Sequence, residues 1–75
     1  MRRYIILLKE TLEAEYQYAL EGLAKEKDFK SRQDIWWSFY QRALGASNMA
    51  FACGLDNRTA DLLVLEYLER LEKII

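Results

Sequence analysis

The chain has 75 residues, which allows one domain, and a net charge of −1 from 11 basic and 12 acidic side chains that are intermixed along it. That balance supplies no field for nucleic acid or for an anionic membrane surface, so neither is expected as a partner. With no histidine and a single cysteine, a Cys-His or Ser-His nucleophile pair and an intrachain disulfide are excluded within one chain, and a dedicated zinc site is not expected.

A domain this small buries only about 60–65 % of its surface and usually needs a disulfide, a metal or a partner chain to stabilise it. An intrachain disulfide is unavailable and a metal site is not expected, yet 52 % of the residues are hydrophobic, more than a small interior can take. The surplus predicts burial against a partner, in the first place as a homodimer.

The absence of proline and the abundance of Leu, Ala, Glu, Lys and Arg predict long helices. Arg2-Arg3 ahead of Tyr4-Ile5-Ile6-Leu7-Leu8 imitates the start of a signal peptide. Lys9-Glu10 interrupts the apolar run too early, since such a core needs about 7–15 residues. The longest uncharged stretch, residues 43–55, is far short of the roughly 18 residues of a membrane span. A cytoplasmic location and no membrane association are expected, and the lone cysteine fits a reducing compartment.

The first helix is predicted over residues 3–25. Ile5, Leu8, Leu12, Tyr16, Ala19, Leu20 and Leu23 recur at helical spacing, and Lys9, Glu10, Glu13 and Glu21 occupy much of the other face. Gly22 weakens its last turn by about 1 kcal/mol relative to alanine. The basic residues Lys25, Lys27, Lys30 and Arg32 are interleaved with Glu26, Asp28 and Asp34 and read as a solvated loop.

Ser31 with Asp34 three residues on resembles a capping box, predicting the second helix over residues 32–53 with Phe29 packing back on its start. Its first half is crowded with Ile35, Trp36, Trp37, Phe39 and Tyr40. Its second half carries a small-residue stripe of Ala43, Ser47, Ala50 and Gly54, suited to close packing of a neighbouring helix. Residues advance 100° each, so rings at 36, 37, 39 and 40 cover more than half the circumference and cannot share one face. If the small stripe marks the intramolecular side, Trp36 turns inward and Trp37 outward. Cys53, among Phe51, Ala52 and Leu55 near the helix end, reads as a small buried hydrophobe with an inert thiol.

Gly54 fits the left-handed position that ends a helix, with Leu55 folding back beneath it. Asp56, or Asn57 in its place, caps a third helix over residues 57–75. Val64, Leu68, Leu71 and Ile75 form its seam, widened by Leu62, Leu65 and Tyr67. Leu63 and Ile74 extend the apolar arc until the helix needs cover on more than one side.

The expected fold is all-α: a three-helix bundle, a helical hairpin plus a third helix, completed by dimerisation. Trp37, Tyr40, Leu44, Leu63 and Tyr67 are the expected interface residues, and the expected role is a non-enzymatic interaction or assembly module with no cofactor. Two other readings compete. Ala50-x-x-x-Gly54 followed by a tight turn resembles the corner of a helix-turn-helix, with Asn57, Arg58 and Thr59 reaching DNA. The helix they begin is acidic and greasy, however, which suits the major groove poorly. Glu10/Glu13, Glu66/Glu69 and Glu69/Glu72 are carboxylate pairs one turn apart. They lack the Glu-x-x-His partner motif of carboxylate-bridged metal bundles, and solvated helix faces account for them.

Overall fold

A computed structural model describes residues 2–74, with side chains from residue 3 onward. Those residues form three α-helices, α1 (Arg2–Lys25), α2 (Phe29–Ala52) and α3 (Asn57–Ile74), and no strand. At 1.5 Å per residue, α1 and α2 are each about 36 Å long and α3 about 27 Å. The bundle measures 40 × 17 × 16 Å, so all three must run along its long axis. Short connections then make successive helices antiparallel, and each helix packs on both others. The turn after α2 is therefore a hairpin bend and not the steep corner of a helix-turn-helix.

The α2–α3 turn forms as its local chemistry predicts. Gly54 has φ +110, a conformation that costs a side chain dearly. The Leu55 N–H donates to the Ala50 carbonyl (3.0 Å) and the Gly54 N–H to that of Phe51 (3.0 Å), the paired bonds of a Schellman ending. Leu55 is buried beneath it. Asp56, rather than Asn57, caps α3: its Oδ2 accepts from the Thr59 N–H (3.1 Å) and Oγ1–H (3.2 Å).

The start of α2 differs from expectation. Asp28 is the N-cap, in extended conformation, and its Oδ2 accepts from the Ser31 N–H (3.1 Å) and hydroxyl (3.3 Å). A carboxylate is the better acceptor at the positive end of a helix, so the cap falls on Asp28 and Ser31 becomes a donor in the first turn. The helix consequently begins one turn early, and Phe29, expected to fold back, points outward.

The core is built at helical spacing from Leu8, Leu12, Ala19 and Leu23 of α1, Phe39, Ala43, Ser47 and Ala50 of α2, and Ala60, Val64, Tyr67, Leu68 and Leu71 of α3. Ala43, Ser47 and Ala50 of the small stripe thus face the interior, whereas Gly54, expected to continue it, is exposed in the turn after α2. Gly22 has a packing reason: a Cβ there would meet Ile35 Cδ1 at 3.1 Å. Two expectations are corrected. Leu62 and Leu65 do not widen the α3 seam but are 58 % and 50 % exposed, and Ala60 takes the inward position. Cys53 is exposed, because α2 stops at Ala52 and the chain turns before the thiol can reach the interior. Ile75 lies outside the described residues.

Arg32 does not belong to a solvated loop. Its guanidinium donates to the Leu23 carbonyl (2.7 Å), the Glu26 carbonyl (2.9 Å) and the Ile74 carbonyl (3.0 Å). One side chain at the start of α2 thus closes the free carbonyl ends of both α1 and α3.

Candidate interaction face

Helix α2 has two flanks beside its buried side. Arg42 defines the flank toward α1: it donates to Glu15 Oε2 (3.0 Å) and lies over the Tyr18 ring (5.4 Å). The opposite flank carries Trp37, Tyr40, Leu44 and Phe51, which fall within about 60° of arc at 100° per residue. Trp37 is 54 % and Phe51 55 % exposed, Leu44 is at the margin of exposure and Tyr40 is half-buried. Trp37 shares a shallow cavity of about 300 Å³ with Trp36, Gln33 and Glu72, so this flank borders α3. The neighbouring strip of α3 contributes Leu65 and, further out, Leu62. Together they make an apolar band across the α2/α3 groove.

The rings at its end are locked against each other. Trp36 stacks on Tyr40 with centroids 5.4 Å apart and planes 16° from parallel. Trp37 meets both edge-on, at 5.2 Å and 89° to Trp36 and 5.6 Å and 77° to Tyr40. Trp36 packs partly against the core, and its buried Nε1–H has no acceptor among the described residues. Mutual packing thus fixes the orientation of the exposed Trp37 ring.

Of the five residues expected at an interface, this band contains Trp37, Tyr40 and Leu44. It excludes the other two. Tyr67 is only 8 % exposed: it donates from Oη to Glu13 Oε2 (2.6 Å), meets the Tyr16 ring edge-on (5.6 Å, 68°) and lies beneath the Arg70 guanidinium (5.0 Å). Leu63, one turn before it, is partly buried against the core. Both stand on the α1 side of α3, where α1 already covers them.

Burial, followed by the bond to Glu13, pushes the Tyr67 phenol up to about 12. Glu13 is held below its usual value by donation from Tyr67 and then Gln17. The unfolded phenol loses its proton near 10 and the folded one near 12, so the native state holds more protons between those values. Its contribution to stability is complete below pH 10 and is lost as pH rises through 12. Urea unfolding of the native chain should show this alkaline loss, and Tyr67→Phe should flatten it. An identical alkaline profile for the two would show that the phenol is not held in this bond.

Among the described residues no group of three or more Asp, Glu, His or Cys side chains gathers to hold a metal, and Glu66 is paired with Arg70 (2.9 Å). Thr59, in the turn that would read DNA, is bonded to Asp56, and α3 lies along α2 instead of projecting from it. No helix of the described residues is long and apolar enough to cross a membrane.

No family model, curated protein or solved structure matches this chain.

Proposed function

We propose that this chain is a non-enzymatic protein-interaction or assembly module that meets its partner through the α2/α3 face. One observation carries the reading: Trp37, Leu44, Phe51, Leu62 and Leu65 form an apolar band outside a core that is closed without them. Leu12, Ala43, Ala60 and Leu71 have no exposed surface at all, so the band is surplus to folding. Its anchor is a tryptophan held rigidly by neighbouring rings, the type of side chain that dominates binding energy at interfaces.

A photo-crosslinking side chain at position 44, in the cells that make the protein, should yield discrete protein adducts, while one at exposed Glu10 on α1 should yield none. Trp37→Ala should preserve helicity by circular dichroism and remove most of the adduct, as loss of an anchor worth about 2 kcal/mol or more would. Absence of adducts from positions 37, 44 and 51 alike would refute this reading.

A further inference from the structure

Gln33, Trp36, Trp37 and Glu72 line the cavity of about 300 Å³ between the first half of α2 and the last turn of α3. That volume is at the lower end for ligand pockets and suits a small group. The two indoles meet at 89° with centroids 5.2 Å apart, so they form two walls of a right-angled corner. Tyr40 stacks on Trp36 and braces it, yet does not line the cavity. The Trp36 Nε1–H is buried, so Trp36 shows the cavity ring carbon and no donor.

Indole faces carry a negative quadrupole and attract cations. Among the described lining residues Glu72 alone is charged, and no ion pair among the described residues engages it. Arg32, one turn before Trp36, is held by the Leu23, Glu26 and Ile74 carbonyls, and Lys30 and Lys73 do not line the cavity. The corner therefore presents two aromatic walls and one free carboxylate. An anion would meet repulsion from all three. Its acceptors are few, the Glu72 carboxylate and the Gln33 amide oxygen. A primary ammonium is strongly hydrated and a guanidinium carries five N–H donors, so either gives up more water contacts than these acceptors replace. A quaternary ammonium has the charge without N–H groups, and its methyls gain from contact with ring carbon.

We infer that this corner binds a quaternary ammonium group, with its methyls against Trp36 and Trp37 and its charge beside Glu72. The inference goes beyond the interaction reading. Position 44 does not line the cavity, so crosslinking there and cation binding fail separately.

Both tryptophans of the chain line the cavity, so intrinsic fluorescence reports its occupancy. Choline titrated into the full chain at constant ionic strength should change the emission saturably with a millimolar Kd, in keeping with a ligand of so few atoms. Its neutral isostere, in which a tert-butyl group replaces the trimethylammonium, should bind on the order of tenfold more weakly. Glu72→Gln should weaken choline binding several-fold, whereas Glu10→Gln on exposed α1 should leave it unchanged. Trp37→Ala, with Trp36 left as reporter, should show no saturation, and circular dichroism should show each variant folded. The amide of N-acetyl-trimethyllysine, run beside choline, tells whether a protein side chain or a free solute is the better source of the group. Absence of saturation with both would overturn the inference. So would equal binding of choline and its neutral isostere, native affinity in Glu72→Gln, or tighter binding of N-acetylarginine amide than of either quaternary ligand.

Discussion

Phe39→Ala is expected to remove about 3–5 kcal/mol of stability, the usual cost of truncating a buried aromatic side chain. Phe39 is 2 % exposed and meets the Tyr16 ring edge-on at 6.4 Å, so its loss removes apolar burial and leaves a cavity between α1 and α2. At about 0.05–0.15 kcal/mol per residue, a chain of this length has roughly 4–11 kcal/mol in total. The variant should be partly unfolded at room temperature, with a much lower urea midpoint and a reduced helical signal at 222 nm. Trp37→Ala removes a larger ring two residues away but should cost only about 1 kcal/mol, because half of that ring is already in water. Equal losses from the two variants would mean that the inward and outward faces of α2 are assigned wrongly.

Arg32→Ala is expected to cost about 2–4 kcal/mol, more than most exposed charges contribute. The three carbonyls it joins, on Leu23, Glu26 and Ile74, lie at the negative ends of two helices, where a guanidinium satisfies unpaired acceptors and the helix dipoles together. Arg32→Lys should restore little, since one ammonium cannot span carbonyls of two helices as a planar fork does. Hydrogen exchange should locate the damage. Amides in the last turns of α1 and α3 should exchange faster in Arg32→Ala, with the α2–α3 turn unchanged. Protection lost uniformly, or not at all, would deny Arg32 this closing role.

What was legible in the sequence was whatever depends on neighbours within about one turn. The ending at Gly54 and Leu55 and the cap at Asp56 are local bonds between local groups, and the existence of three helices follows from apolar spacing and the absence of proline. The outward turn of Trp37 relative to Trp36 followed from 100° per residue and the position of the small stripe. The choice of Asp28 over Ser31 was also local but ambiguous, as both residues can cap and only the stronger acceptor does.

The rest depended on contacts distant in sequence. In α3, Leu62, Leu63, Leu65 and Tyr67 form an arc too wide for spacing to say which flank meets α1. The Glu13–Tyr67 bond and the Tyr16 ring decide it, placing Leu63 and Tyr67 inside and leaving Leu62 and Leu65 in water. Arg32 showed no signal beyond its charge, because its acceptors are backbone carbonyls, which every residue has. By itself, then, the sequence determined an all-α chain of three helices with more apolar surface than it can bury. Only the tertiary structure decided where that surplus lies, because helical periodicity specifies which residues share a face, whereas burial depends on which neighbouring helix covers it.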